Sequence, residues 1–316
     1  MKVGDIEILQ VIDGMIVSKL PSTKPLPDVE SLAWKEQHQM FRPDGMIEST
    51  LGGFLVHTRD RLALVDAGAG QEVVGGYSPP TINLDIDDDP FVVHFQRVGM
   101  PLEAIHGIAE FFSGTQMVRG RLPASLNVVG VRPEDVTDLI FTHLHFDHIG
   151  WATDEGAAYF PNATIHCASA DLDYFLPGAE EEETTSLVYR TPKVPERLGP
   201  VLDRIETWDS DGSVLPGIDV RLAPGHTPGS SVIVLSDGVD RAMLLGDIIH
   251  CPLELTDDDF DLLVDHDQEL AFQVREAYAR ELEGSNIPVA GAHFAGLQFG
   301  RLFAGQGVRR WSFDDA

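Results

Sequence analysis

Residues 143–148 read His143-Leu144-His145-Phe146-Asp147-His148, three imidazoles and a carboxylate within six residues. They follow Leu139-Ile140-Phe141-Thr142, an apolar run that reads as a buried strand. At the end of an extended strand, residues two apart point the same way, so His143 and His145 can grip one cation. The chain must then turn, which aims Asp147 and His148 at a point beside the first. Imidazole and carboxylate together suit Zn²⁺ and similar divalent ions. A cluster kept only for packing is the weaker alternative, because adjacent Asp and His pack poorly after a buried strand.

The elements that must carry this motif come from pattern. Ile6 to Val11, a turn at Asp13-Gly14 and Met15 to Val17 read as a hairpin. A proline-rich loop with Pro21, Pro25 and Pro27 follows. Phe54-Leu55-Val56, a turn near Arg59-Asp60 and Leu62 to Val65 read as a second hairpin. Leu62 to Val65 is continuously apolar, so both of its faces should be buried. Residues 71–125 are irregular, with Ser78-Pro79-Pro80, the acidic run Asp85 to Asp89 and the aromatics Phe91, Phe95, Phe111 and Phe112. This stretch reads as an insertion within one domain spanning 1–316, serving as a lid, a substrate wall, a packing element or a homodimer contact. Pro133-Glu134-Asp135-Val136 reads as a helix start, Thr164 to Cys167 as a strand, and 177–200 as a polar loop with four prolines. Val220 to Leu222 reads as a strand, and Ser231 to Leu235 with Arg241 to Leu245 as a hairpin turned at Asp237-Gly238. A helix is expected from about Asp267 to Glu283, with Leu270, Val274, Ala277, Tyr278 and Leu282 on its apolar face and Asp265 as its cap. Val289-Ala290-Gly291 reads as the last strand. Hairpins in both halves, mixed with helices, favour an α+β fold of two mixed sheets with helices outside.

Charge narrows the partners. Lys and Arg number 22 against 51 Asp and Glu, which leaves −29 over 316 residues. Nucleic acid and anionic membrane surfaces would be repelled, and the five Lys are scattered rather than clustered. No apolar run reaches the ~18 residues of a membrane span. Met1 to Asp5 lacks the basic and apolar regions of a signal peptide, so a cytoplasmic location is expected. Cys167 and Cys251 cannot build a disulfide scaffold or a four-cysteine zinc site, and two buried thiols are the expectation.

The motif at 143–148 resembles that of the metallo-β-lactamase superfamily of hydrolases, and the resemblance extends from about residue 50 to 300. The family's later ligands come singly at strand ends. The matching residues are His226 in Ala223-Pro224-Gly225-His226, Asp247 in Leu244-Leu245-Gly246-Asp247 and His293 in Ala290-Gly291-Ala292-His293. Val65-Asp66-Ala67-Gly68 also matches, in the place where the family's Asp supports the ligands from behind. The resemblance implies a four-layer αβ/βα sandwich. It implies one ion on His143, His145 and His226, a second on Asp147, His148 and His293, and Asp247 bridging them. The implied ions are divalent, with zinc first and iron, manganese or cobalt as alternatives. Five neutral imidazoles and two carboxylates would set −2 against +4, and a bridging hydroxide would leave about +1 at the site.

Within the family, the sequence is similar to the lactonases and the methyl parathion hydrolase type. The best-known β-lactamases carry Cys where Asp247 stands, and −29 opposes the polyanion binding of RNA-processing members. Thr142 to Trp151, Gly246 to His250 and Ala292-His293-Phe294 carry the likeness. Acylhomoserine lactonases typically have Tyr three residues after the bridging Asp. Here that residue is His250, as in the methyl parathion hydrolase type. The resemblance thus implies a zinc hydrolase whose metal-bridging hydroxide attacks a small neutral lactone or carboxylic ester, with phosphotriester or phosphodiester hydrolysis as the alternative. Asp147 and His250 are candidates for handling the proton, although His250 could instead support Asp247 or pack under the site. Trp151 and Phe146 are candidate walls of the substrate pocket.

Overall fold

The computed structural model describes residues 1–19, 40–42, 44–71, 90–97, 99–102, 105–106, 109, 112, 114–257, 260, 262, 264–305 and 307–314. The Pro21–Pro27 loop, Ser78 to Pro80, the Asp85–Asp89 run and Phe111 lie outside these residues, as does the side chain of Phe91.

Among the described residues, eight strands form one sheet and seven form another. The first runs Lys2–Val3, Ile6–Ser18, Ile47–His57, Leu62–Val65, Asp138–Ile140, Thr164–Ala168, Ile205–Trp208, with Gln116–Val118 beside Ile6–Ser18. From Leu62–Val65 to Ile205–Trp208 its neighbours are parallel. The second runs Gly212–Leu215, Ile218–Leu222, Ser231–Asp237, Asp240–Leu244, Val289–Ala290, Gly300–Gly305, Val308–Phe313. Its one parallel pairing joins Asp240–Leu244 to Val289–Ala290.

Alternation along the strands stacks the layers. Ile6, Ile8, Phe54, Val56, Ala63 and Val65 face Ile218, Val220, Ile233, Leu235 and Leu244 between the sheets. Leu55, Leu64, Leu139 and Ile165 point the other way, against Leu122 and Leu126 of helix Leu122–Val128 and Phe175 of helix Ser169–Phe175. Val232, Val234, Met243 and Val289 pack against Tyr278, Ala279 and Leu282 of helix Gln268–Leu282. This is the αβ/βα sandwich expected, with both faces of Leu62–Val65 covered.

Several local expectations are corrected. Asp13-Gly14 is not a hairpin turn. Ile6–Ser18 is one strand, and its pairing with Ile47–His57 shifts register between Ile12 and Gly14. Tertiary contacts override the turn signal: buried Asp13 accepts the backbone N–H groups of Ala69, Gly120 and Leu122. Gly14 is required because a Cβ there would lie 1.7 Å from Val118 O. Pro133–Asp135 makes only a 3₁₀ turn. The segment 177–200 is largely helical, with Glu180–Tyr189 and Val194–Leu198. Its acidic run sits at a helix N-terminus and Pro195 in a first turn, where acids and proline are favoured. The cap of Gln268–Leu282 is Asp267, which accepts Leu270 N–H at 3.0 Å. Its buried face is Ala271, Arg275, Tyr278, Ala279 and Leu282, whereas Ala277 is exposed.

Within 71–125, Pro90–Arg97 is helical, and Gln116–Val118 pairs with Met15 to Val17 as part of the main sheet. Val92, Phe95, Ile105 and Ala109 form a small cluster with Val188, and Phe112 packs edge-on to Tyr189. No helix among the described residues is long and apolar enough to cross a membrane. Both cysteines are free and buried, and burial raises the pKa of each thiol.

Candidate metal centre

Five segments, each following a strand, meet at one point. Leu62–Val65 leads to Asp66, Asp138–Ile140 to residues 143–148, Ile218–Leu222 to His226, Asp240–Leu244 to Asp247, and Val289–Ala290 to His293. His143 Nε2 lies 3.0 Å from His145 Nδ1, and His226 Nε2 lies 2.9 Å from that same atom. A ring nitrogen carries either a proton or a lone pair, so one nitrogen cannot serve two such neighbours well by hydrogen bonding. Three ring nitrogens at this spacing can instead share a cation.

Asp147, His148 and His293 form a second group. His293 Nε2 is 3.5 Å from Asp147 Oδ2, and His148 Nε2 is 3.9 Å from Asp147 Oδ1. Asp247 stands between the groups. Its Oδ2 is 3.0 Å from His293 Nε2, 3.4 Å from His148 Nε2, 3.5 Å from His226 Nε2 and 3.8 Å from His143 Nε2.

Unpaired atoms test whether a metal fits. Asp247 Oδ1 and His148 Nε2 are buried with no hydrogen-bond partner. Each such atom costs about 1–3 kcal/mol unless something satisfies it. A divalent cation between them would do so, and the donor set of nitrogens and carboxylates fits two ions.

The electrostatics agree. Burial, reinforced by His148 and other nearby imidazoles, pushes the pKa of His143 well below its usual value. Burial and His145 and His250 do the same to His226. Neutral rings are the form that ligates a metal. Burial also disfavours a charged His148, but Asp247, Asp66 and Asp147 outweigh it and hold its pKa well above the usual range. Burial would raise the pKa of Asp247, but His293 and His148 hold it well below the carboxylate range. Carboxylates that attract a proton onto buried imidazoles attract a divalent ion by the same field.

Four imidazoles are braced through the nitrogen facing away from the centre. Nδ1 of His148 lies 3.0 Å from Asp66 Oδ2, and Nδ1 of His226 lies 3.0 Å from Asp265 Oδ1. Nδ1 of His293 donates to Thr50 O at 3.0 Å, and Nδ1 of His143 lies 3.2 Å from Thr142 Oγ1. Such partners set the tautomer and ring orientation. Asp66 also accepts the backbone N–H and the hydroxyl of Thr142, each at 2.9 Å. Asp171 ties two loops together, accepting Leu144 N–H at 3.0 Å, Gly229 N–H at 2.6 Å and the Thr227 hydroxyl at 3.0 Å.

Asp171, Asp265, Glu254 and Arg275 were not among the residues the sequence singled out for the site. From its local sequence Asp265 reads as a helix cap. The spacing could have exposed Arg275, since Ala271, Arg275, Tyr278 and Leu282 share one helical face and an arginine is out of place on it. Trp151 is a correction. It is 4% exposed, its indole N–H donates to Asp13 Oδ1 at 2.8 Å, and it packs on Tyr159 rather than at a pocket mouth. Phe146 is placed beside the centre. It stacks on Tyr189 and lines a pocket with His145, Phe175, Glu182 and Thr185. His250 also faces the centre, with Nε2 3.6 Å from Asp247 Oδ2. Burial disfavours its charged form, but the Glu254 carboxylate, 3.5 Å from its Nδ1, outweighs this and lifts its pKa to about 9.

Fold and centre together define an αβ/βα protein with a histidine- and aspartate-built site for metal ions. The sequence profile of the metallo-beta-lactamase superfamily matches residues 53–283, and the chain belongs to that superfamily. An N-acyl homoserine lactonase of Bacillus cereus is 28% identical over 171 residues, which cover 51% of this chain and 60% of the relative. A probable metallo-hydrolase of Mycobacterium bovis is 28% identical over 208 residues, covering 62% of this chain and 56% of the relative. The matched stretch therefore spans under two thirds of either relative. Among solved structures, the dizinc quorum-quenching lactonase AidC, in complex with a product, superposes with a TM-score of 0.71 at 22% identity, covering 100% of this chain and 97% of its own. The hydrolase AbOPH of the beta lactamase superfamily gives 0.72 at 20% identity with the same coverage. These two likenesses establish the fold.

Proposed function

We propose that the chain is a dinuclear metal-dependent hydrolase that opens a small neutral lactone or cleaves a carboxylic ester, and that residues 1–316 act as one domain. One observation carries the reading: a single buried carboxylate oxygen, Asp247 Oδ2, lies within 3.8 Å of ring nitrogens from both triads. His143, His145 and His226 would hold one ion, Asp147, His148 and His293 the other, with Asp247 shared. Zinc suits the mixed nitrogen and oxygen donors and imposes no geometry of its own. The chemistry bound divalent ions supply at such a site is Lewis acidity and a lowered pKa for water.

The chain's own residues supply orientation and proton handling. Asp66, Asp265 and Thr50 O fix three ligand rings before substrate arrives. His250 is 13% exposed and, with its pKa lifted to about 9, carries a proton at neutral pH that its imidazole can donate to a substrate oxygen. Asp147, 10% exposed, stands 3.5 Å from His293 Nε2 as the most open carboxylate of the second triad. The pocket beside His145 has an apolar wall of Phe146, Phe175 and Pro192 facing polar groups that include Thr185, Glu182 and Lys193. A formal charge of −29 favours neutral over anionic substrates, and the Bacillus relative is named as a lactonase.

His250 favours a second reading, organophosphate triester hydrolysis, because it replaces the Tyr usual in acylhomoserine lactonases. A side-by-side assay with a γ-lactone, an aryl acetate, a dialkyl aryl phosphate and a bis-aryl phosphate separates the two. Dominant lactone or carboxylic ester turnover is expected, and dominant phosphate ester turnover would reverse the order. Turnover of none, in protein loaded with zinc, manganese or cobalt, would overturn the hydrolase reading.

A further inference from the structure

The buried face of helix Gln268–Leu282 carries Arg275, which is 2% exposed. A buried guanidinium needs partners, and two carboxylates face it. One terminal nitrogen lies 2.5 Å from Glu254 Oε1 and the other 3.6 Å from Asp265 Oδ2. Each carboxylate has its other oxygen committed to the centre. Asp265 Oδ1 lies 3.0 Å from His226 Nδ1. Glu254 Oε2 accepts the backbone N–H of His250 at 2.6 Å and of Cys251 at 3.2 Å, and lies 3.5 Å from His250 Nδ1. A buried chain of polar contacts therefore runs from His226 through Asp265, Arg275 and Glu254 to His250.

We propose that Arg275 is a positioning residue for one of the two ion sites: it holds the Asp265 carboxylate behind His226 and so sets the metal affinity of the His143–His145–His226 triad selectively. The inference rests on the metal-centre reading above. Without a cation between them, two buried carboxylates would repel, and Asp265 would leave its line to the ring. His226 would then lose the partner that fixes its tautomer and orientation. The second triad is braced elsewhere, by Asp66 behind His148 and Thr50 O behind His293, so it should not feel the change. Lysine is a poor replacement, because one ammonium cannot span two carboxylates as a planar fork does.

Site-resolved metal binding tests this. The full chain is stripped with a chelator and titrated with Co²⁺, followed by equilibrium dialysis and by the visible absorption of the ion. His145→Ala and His293→Ala, each leaving one triad intact, identify the spectrum of each site. In R275K, the first triad should bind Co²⁺ about 10–100-fold more weakly and the second should be unchanged. D265N should show the same one-site loss, and R275K/D265N no more than D265N alone, because Arg275 acts through Asp265. Equal weakening of both sites, unchanged binding in folded R275K, or additive effects would overturn the proposal. Circular dichroism reports folding. Should R275K fail to fold, R275Q takes its place: a loss confined to the first triad supports the proposal, and a loss at both or neither overturns it. A wild-type chain that takes up no Co²⁺ would overturn the metal-centre reading itself, and the proposal with it.

Discussion

Asp66→Asn is the most informative single change in the centre. Asp66 has φ +59°, a left-handed conformation that asparagine tolerates better than other replacements, so the backbone should hold. The asparagine oxygen can still accept Thr142 N–H, where Asp66 Oδ1 now accepts it at 2.9 Å. The amide nitrogen then replaces Oδ2, 3.0 Å from His148 Nδ1. A donor there forces the His148 proton onto Nε2, the nitrogen facing Asp247 at 3.4 Å. A protonated Nε2 cannot ligate. Losing a hydrogen bond to a charged group costs about 1.5–3 kcal/mol. That corresponds to roughly 10–100-fold in affinity, because each 1.4 kcal/mol is tenfold. Competition against a chromophoric chelator should show this loss at the Asp147–His148–His293 triad and a smaller one at the first triad, whose His143 rests on the Thr142 hydroxyl that Oδ2 also accepts, with the fold retained by circular dichroism. Equal affinity of wild type and D66N for both ions would refute the reasoning, because Asp66 would then brace nothing the metal depends on.

Other perturbations act on the scaffold and the pocket. Burial raises the pKa of Asp171 to about 6, partly offset by its bonds from Thr227, Gly229 and Leu144. A folded pKa above the unfolded value means a contribution present below about pH 4 and lost as pH rises through about 6. Urea titrations of wild type and D171N should therefore show wild type losing up to about 3 kcal/mol relative to the variant over that window; a pH-independent difference would contradict it. Gly150→Ala places a Cβ 2.1 Å from the backbone of Ala69 and Gly70, so it should cost about 1–3 kcal/mol and weaken metal binding, read from the urea midpoint and dialysis. Phe146→Ala should raise KM for an aryl or long-chain ester more than kcat falls, since its ring lines the pocket without reaching the ions; a fall in kcat alone would place it in the chemistry.

The candidate ligands were legible because each follows a strand end, and His143 to His148 crowds four of them into one turn. The layers were legible from alternation, as in Phe54-Leu55-Val56, where Leu55 points outward and its neighbours inward. What was hidden depends on partners distant in sequence. Asp171 holds Leu144 and Gly229, 27 and 58 residues away, and nothing near Asp171 announces either. Asp265 stands two residues before the true cap, and local rules prefer a cap to a brace for a histidine 39 residues earlier. Asp13-Gly14 carries a turn signal that long pairing on both sides overrides. Trp151 follows the motif closely enough to invite a pocket role, yet its indole is spent on Asp13, 138 residues away.

The central claim, two ions astride Asp247, is tested most directly by anomalous diffraction from crystals of zinc-loaded protein. Two peaks roughly 3.5–4 Å apart are expected, one among His143, His145 and His226 and one among Asp147, His148 and His293, with Asp247 Oδ2 between them. No peak at these residues at full zinc loading, or peaks elsewhere on the acidic surface alone, would contradict it.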